Sequence, residues 1–470
     1  MKYLRHWFIL LLLWLSYSCT SKYNNAIEAV LDNVSNKQAN DLEAVLNHYT
    51  NPQDSLKRKA AHFLVENFPE DQYQTIDKQL LIENIELAFQ VWKKPWAKQL
   101  NFEEFKELVL PFDLERDSTG TFWRKRFINE YAFVEDSLKN NPDKNPILAV
   151  CKVVDQVLRK KYTIRFIDNE PSVLNLNEWE RLKQGDCSAM AYLTNHIMHA
   201  IGIPTAIEFT PRWANSHASH YWSVVYINHH LIPFAGGENL PQTLKVEHVR
   251  DEMSSYIRKR AKVFRKMYAF NPNSLAALSA EPIPAKFRDS HIIDVSKLCL
   301  PTRSVAIEVP DSQTSEYVYL SVFSYGKNNW QPVNWAKNQG SKVTFTDMRT
   351  EAVYIPSSYQ QDSIFTFDYP FILKKDGQKH LLKPQLTTRE TITCTKKYLR
   401  DMTNLIKIGD VYQLFFWDKN GWVSVGTQIA KEKMITFENV PQNALLLLRD
   451  LTRGKQERIF TYTNNQQVFW

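Results

Sequence analysis

The chain has 470 residues, 44% of them hydrophobic and 23% charged, which is the composition of a globular protein of two to four domains and excludes a disordered one. Its net charge of +7 is spread along the whole chain and gives no concentrated basic stripe, so nucleic acid is not an expected partner. The four cysteines beyond the leader, Cys151, Cys187, Cys299 and Cys394, have neither the density of a disulfide framework nor metal-ligand spacing.

At the start, Lys2 and Arg5 precede an apolar run from Trp7 to Leu15. The run is too short to span a bilayer but suits a signal peptide. The small residues of Ser16-Tyr17-Ser18-Cys19 resemble a lipobox, with Leu15 one position early. Residues 1–19 then read as a lipoprotein signal peptide with Cys19 as the lipidated residue; ordinary signal cleavage is the alternative. The expected location is the bacterial cell envelope, in the periplasm or at the outer membrane surface, with the membrane reached through the lipid anchor. No later segment offers ~18 uninterrupted apolar residues.

Residues 22–135 read as a helical region. Leu56, Ala60, Phe63 and Leu64 share one helical face, Leu81, Ile85, Phe89 and Trp92 another. Asn101 with Glu104 forms a capping-box start before Phe105, Leu108 and Val109. A core region follows over 136–293. Asn145-Pro146 opens a helix with Ile147, Cys151, Val154 and Leu158 inward, and Cys151 reads as core. A strand is predicted over 162–167, a helix over 186–201 closed by Gly202 and Pro204, and strands over 203–209, 221–228 and 231–234. The basic run Arg258, Lys259, Arg260, Lys262, Arg265 and Lys266 reads as a solvated helix face. From about residue 300 the pattern is β. An internal repeat at an offset of 92 matches Trp330 with Trp422, Val322 with Leu414, Val333 with Val425, Phe345 with Phe437 and Ala352 with Ala444. Two β-sandwich modules are predicted, 294–390 and 391–470, with Trp330 and Trp422 structural in both. The fold class is therefore multidomain α+β.

The chemistry concentrates in two places. Gly185-Asp186-Cys187-Ser188 opens the helix over 186–201, so the Cys187 thiol faces unpaired backbone N–H groups and the positive end of the helix dipole, both of which favour the thiolate. Ser219-His220-Tyr221-Trp222 opens a strand, with His220 and Trp222 on one face. If that strand packs on the helix, His220 serves as general base to the sulfur. His217 is a second candidate base without the His-x-Trp context; His196 and His199 read as surface or core. Trp213 and Trp222 are candidate walls of a substrate cleft, with core packing an equal reading. No His-Glu-x-x-His, paired Cys-x-x-Cys or phosphate-cradling loop is present, so no metal and no cofactor are expected.

A helix-borne Gly-x-Cys, then Gly202-Ile203-Pro204, then a strand-borne His-x-Trp resembles the transglutaminase-like (papain-like) cysteine superfamily over about 145–240. More loosely, the layout resembles bacterial lipoproteins that join a helical N-terminal region, such a core and C-terminal β-modules. The resemblance implies an acid on the strand after the histidine. Its expected place falls near Ala235, where this chain has none; Glu238 is the candidate third member and Asn239 a weaker one. Without an orienting carboxylate, the histidine tautomer is less controlled. Two functions follow as expectations. One is a cysteine hydrolase or acyltransferase on amide bonds of peptide or protein substrates. The other is a non-catalytic surface protein that binds glycan or protein through a degenerate core and its β-modules, with Trp330, Trp335, Trp417 or Trp422 as candidate carbohydrate platforms.

Overall fold

A computed structural model describes residues 23–111, 119–139, 145–165, 174–241, 249–250, 257–324, 330–398, 405–419, 421–454 and 457–470. Residues 1–22, with Cys19 and the segment expected to be a signal peptide, lie outside the described residues. The chain divides into two compact units, one formed by residues up to Gln90 with Leu110–Leu114, the other by Val91–Val109 and everything from Glu115 onward. No described helix is long and apolar enough to cross a membrane.

The first unit is helical: α1 (Asn25–Asn33), α2 (Asn36–Leu46), α3 (Ser55–Glu66) and most of α4 (Lys78–Trp92). Ser35 and Gln38 close a reciprocal capping box on α2, satisfying two of the donors every helix start leaves unpaired. Ile27, Leu42, Val45, Leu64, Leu81 and Ile85 are buried.

The second unit is mixed α and β. It begins with α5 (Phe102–Leu108), where the Asn101/Glu104 capping box forms as the spacing predicts. Then come α6 (Trp123–Glu130), α7 (Phe133–Lys139), α8 (Pro146–Lys161), β1 (Thr163–Ile164), α9 (Leu176–Leu182), β2 (Gln184–Gly185) and α10 (Cys187–Ala200). Asn145 caps α8 by accepting from the N–H groups of Ile147 and Leu148. Cys151, Val154 and Leu158 are fully buried. The central sheet has the antiparallel order β5-β4-β3-β8-β9, built from β3 (Thr205–Thr210), β4 (His220–Ile227), β5 (His230–Phe234), β8 (Phe264–Lys266) and β9 (Ile292–Asp294). A small hairpin, β6 (Val249–Arg250) with β7 (Ile257–Arg258), lies between β5 and β8 in the chain. Alternation along β4 sends Ser223 to α10, where its hydroxyl donates to the Ala191 carbonyl at 3.3 Å. Its neighbours His220, Trp222 and Val224 take the other face. Two short helices, α11 (Leu275–Leu278) and α12 (Ser296–Cys299), flank β9 in the chain.

The rest is β and built twice. Strands β10 (Thr302–Glu308) and β13 (Lys342–Arg349) pair. A second sheet runs β12 (Trp330–Lys337), β11 (Tyr317–Phe323), β14 (Ala352–Gln360), β16 (Phe371–Leu373), β17 (Lys379–Leu381), with β15 (Ser363–Thr366) on β14. The pattern recurs as β18 (Gln385–Cys394) with β21 (Ile435–Gln442), beside β20 (Gly421–Ile429), β19 (Val411–Asp418), β22 (Leu446–Asp450), β23 (Ile459–Thr463) and β24 (Gln466–Phe469). The repeat at offset 92 has a physical basis: Val322 and Leu414, Phe345 and Phe437, Ala352 and Ala444 are all buried. Trp330 and Trp417 are buried as well, while Trp335 and Trp422 are half-buried against core clusters, so none of the four is an exposed ring. Cys299 and Cys394 are both free thiols.

Candidate active site

Asp186 has extended backbone, and its Oδ1 accepts from the Ala189 N–H at 3.0 Å and the Ser188 hydroxyl at 2.6 Å. That cap makes Cys187 the first residue of α10. Gly185 is required just before it, since a Cβ there would stand 2.7 Å from Trp179 Cη2 and 2.9 Å from the Ala189 methyl. The thiol is half-buried. The backbone N–H of Tyr221 donates to its sulfur, two residues beyond Ser223–Phe234, the last β4–β5 pair. The sulfur thus sits at the edge of β4 beside the residue that follows His220. Burial pushes the Cys187 pKa up, the charges of Asp186 and Glu238 push the same way, and the N–H groups of Tyr221 and Ser188 offset this only in part. The expectation of a ready thiolate is corrected: desolvation outweighs the donors at the helix start, so the group rests as a thiol.

His220 opens β4 opposite Thr210 of β3. Its imidazole stacks on Trp213 (centroids 5.5 Å apart, planes at 27°) and on Trp222 (5.8 Å, 28°). Arg258 lies 5.8 Å over the Trp213 ring and Arg260 lies 5.3 Å over Trp222. The result is a five-membered ladder, Arg258–Trp213–His220–Trp222–Arg260. Burial pulls the His220 pKa down to about 4, and the Arg258 and Arg260 charges pull the same way. The ring is therefore neutral near pH 7, the state that can accept a proton. Among the described residues, no hydrogen bond joins either ring nitrogen to a carboxylate, an amide or the Cys187 sulfur. Stacking, not an acid, holds the imidazole plane. Trp213 and Trp222 are themselves buried, and their indole N–H groups meet no acceptor; they enclose His220 and do not line an open cleft.

Glu238 arrives on a pinned turn. Ala235 bridges Asn239, and the glycines between them are forced. A Cβ on Gly236 would lie 2.6 Å from Thr194 Oγ1, and Gly237 has φ +82°. The Gly237 N–H donates to Asp155 Oδ1 at 2.8 Å, Asp155 Oδ2 accepts from Arg159 Nε at 2.8 Å, and Arg159 also donates to the Glu238 carbonyl. Burial raises the Glu238 pKa while Arg159 and Arg258 lower it. Its charge acts on Cys187 and is not among the causes that shift His220. Asn239 is exposed.

The basic run is not a solvated helix face, and this expectation is overturned. Arg260 and Lys262 are buried. Lys262 pairs with Asp294 and donates to the Thr346 and Asp347 carbonyls at 3.0 Å each; Arg265 pairs with Glu208 at 2.6 Å and Lys266 with Asp289 at 2.7 Å. The run is extended, and its carboxylates come from segments distant in sequence. Alternation at Arg258 and Arg260 was the available signal for a strand. Asp155 and Arg159, one helical turn apart on α8, gave no signal, because what they hold lies about eighty positions away. Of the other histidines, His199 is buried with Nε2 3.0 Å from the Thr205 carbonyl, His196 is half-buried and bonds the Tyr192 carbonyl at 2.8 Å, and His217 is exposed in the loop before β4. No group of three or more His, Cys, Asp or Glu side chains among the described residues could hold a metal ion.

No family model matches the chain, and no curated protein sequence matches it. Solved structures with weak likeness include the following two. A candidate cysteine protease from Cytophaga hutchinsonii has 13% identity and a TM-score of 0.19 over 25% of this chain and 40% of its own. A transglutaminase from red sea bream has 11% identity and a TM-score of 0.21 over 77% of this chain and 70% of its own.

Proposed function

We propose that the chain is a transglutaminase-like cysteine hydrolase or acyltransferase acting on amide bonds of peptide-like substrates, with Cys187 as nucleophile and His220 as general base. What supports this reading is the Tyr221 N–H donating to the Cys187 sulfur, one residue after a neutral imidazole; the His220 ring starts on the face of β4 away from α10 and has to turn about its side-chain bonds to take the thiol proton. With the thiol pKa raised and the imidazole pKa lowered, a resting ion pair is disfavoured. Proton transfer to His220 accompanies attack of sulfur on the substrate carbonyl. The imidazolium returns that proton to the departing amine, and the thioester is resolved by water or by a second amine. Glu238 is the third member in this reading. The architecture that goes with it is a transglutaminase-like core over 136–293 and two β-sandwich modules over 294–390 and 391–470. Export and lipid anchoring at Cys19 complete the proposal; a lipid-modified N-terminal peptide, lost in Cys19→Ser, is the expected finding.

The test is incubation with a library of end-blocked peptides, with and without methylamine, read by mass spectrometry. Hydrolysis adds water, transfer incorporates methylamine, and both must vanish in Cys187→Ser. The second reading is a non-catalytic surface binding protein. It is favoured by a specific observation: among the described residues, no acid or amide bonds the His220 ring. Binding of a peptide or glycan with no turnover, equal in wild type and Cys187→Ser, would establish it.

A further inference from the structure

Three segments meet at one end of the second β-built half, where β19 begins and β20 and β22 finish. The Gly409 N–H donates to the Ala430 carbonyl at 2.8 Å and the Ala430 N–H to the Asp410 carbonyl at 3.0 Å, which clips the turn before β19 to the one after β20. The Leu451 N–H donates to the Val411 carbonyl at 2.9 Å, and the Thr452 hydroxyl accepts from the Val411 N–H at 2.8 Å, which brings in the turn after β22. Ile429 is the register partner of Val411. Ile429, Val411 and Leu451 therefore form one row across three strands, on the face opposite the buried Tyr412.

The core draws other residues from these segments, namely Ile406, Ala430 and Ile435. Among the described residues, three of the four most exposed large apolar side chains stand here, Ile408 at 62%, Ile429 at 61% and Leu451 at 53%; Met434, also exposed, closes the turn after β20. Single exposed aliphatic residues are ordinary, but four on segments clipped together make a patch. Its charges are mostly positive. Lys431 and Lys433 are exposed and Lys407 half-buried, and none of the three pairs with a described acid. Glu432 is the exposed acid between them. The other acids are occupied, Asp410 by Arg453 at 2.6 Å and Asp450 by Lys397 at 2.7 Å. The three segments hold no aromatic residue. Protein interfaces favour aromatic and Arg anchors and are poor in lysine. Lysines around aliphatic side chains suit a bilayer surface instead, where the apolar groups enter the headgroup layer and the ammonium groups meet phosphate.

We propose that this end of the second β-built half docks on a bilayer surface carrying anionic phospholipid, with Ile408, Ile429, Met434 and Leu451 inserted and Lys407, Lys431 and Lys433 on the phosphates. The contact is separate from any lipid on Cys19 and does not depend on the Cys187–His220 chemistry.

The test uses the full chain carrying Cys19→Ser, so that no lipid on that residue contributes. Vesicles are phosphatidylcholine alone or mixed with an equal share of phosphatidylglycerol, and the readout is hydrogen exchange by mass spectrometry, which reports each segment by itself. Mixed vesicles protect the amides of 405–410, 430–434 and 451–454, with half-protection at a lipid concentration at least about tenfold below that needed with phosphatidylcholine alone. Ile408→Gln with Ile429→Gln and Leu451→Gln abolishes the protection, and thermal unfolding run alongside shows that this variant keeps its fold. Lys431→Gln with Lys433→Gln leaves the apolar patch intact and raises the half-protecting concentration of mixed lipid about tenfold, a difference that shrinks in high salt. Absence of protection in these segments overturns the proposal, even where vesicles protect residues near the N-terminus. So does equal protection by the two lipid mixtures. Protection that appears without vesicles as the protein concentration rises assigns the patch to a second copy of the chain and overturns the bilayer.

Discussion

His220 carries two costs that the fold must cover: a half-buried ring with no acid bonded to it among the described residues, and two guanidinium groups across the flanking indoles. Both keep the ring neutral. The consequence is a pH-dependent stability. The unfolded chain binds a proton at His220 near pH 6.5 and the native chain only near 4, so stability is full above the first value and falls as the pH drops toward the second. The loss amounts to at most roughly 3 kcal/mol. His199, held down to about 3 by burial, adds a loss of the same sign. Denaturant unfolding of His220→Gln between pH 4 and 7 should therefore show a shallower dependence than wild type, with the His199 share retained; an unchanged slope would mean the imidazole is not buried neutral. Arg258→Gln isolates the charge effect: the His220 NMR titration should move up, and so should that of Glu238, because Arg258 lowers both.

At the level of the element, the start of α10 sets both the position and the acidity of the thiol. Asp186→Ala removes the cap and should cost about 1 kcal/mol in chemical denaturation. Asp186→Asn keeps an acceptor for the Ala189 N–H but deletes a charge that raises the Cys187 pKa. Its alkylation profile should shift to lower pH with little loss of stability; a shift in Asp186→Ala alone would point to fraying instead. This helix was legible in the sequence, because Asp186, Gly202 and Pro204 mark its ends and Ala189, Leu193 and Ile197 its buried face. So was the β4–β5 hairpin, where Asn228 and His229 take positive φ in the turn. The ladder around His220 was not. Trp213 comes from the loop before β4 and Arg258 and Arg260 from a segment some forty residues on, and no local periodicity records which indole a guanidinium will cover. The raised thiol pKa was hidden for a related reason, since burial depends on packing and not on place in a helix.

Across the larger unit, the two β-built halves share a core in which Phe323, Trp330, Val353, Trp417, Leu447 and Trp470 meet. Arg458, 2% exposed, ties them to the core region by donating to the carbonyls of Phe323 (2.6 Å), Trp470 and Ala214. Arg458→Met leaves three buried carbonyls without that donor and should destabilise by about 3 kcal/mol or more. Calorimetry is expected to show a single transition splitting in two, whereas a uniform shift with one transition would mean the halves hold together without it. That coupling matters to the site, since Ala214 directly follows Trp213 of the ladder. The central claim remains the partnership of Cys187 with His220, and trapping of the acyl-enzyme tests it most directly. Intact-mass spectrometry after rapid acid quench should find the acyl group of a peptide donor on Cys187 in wild type, none in Cys187→Ser, and at least about a hundredfold slower formation in His220→Gln. Formation at the wild-type rate without the imidazole, or an acyl group that never reaches Cys187, would contradict it.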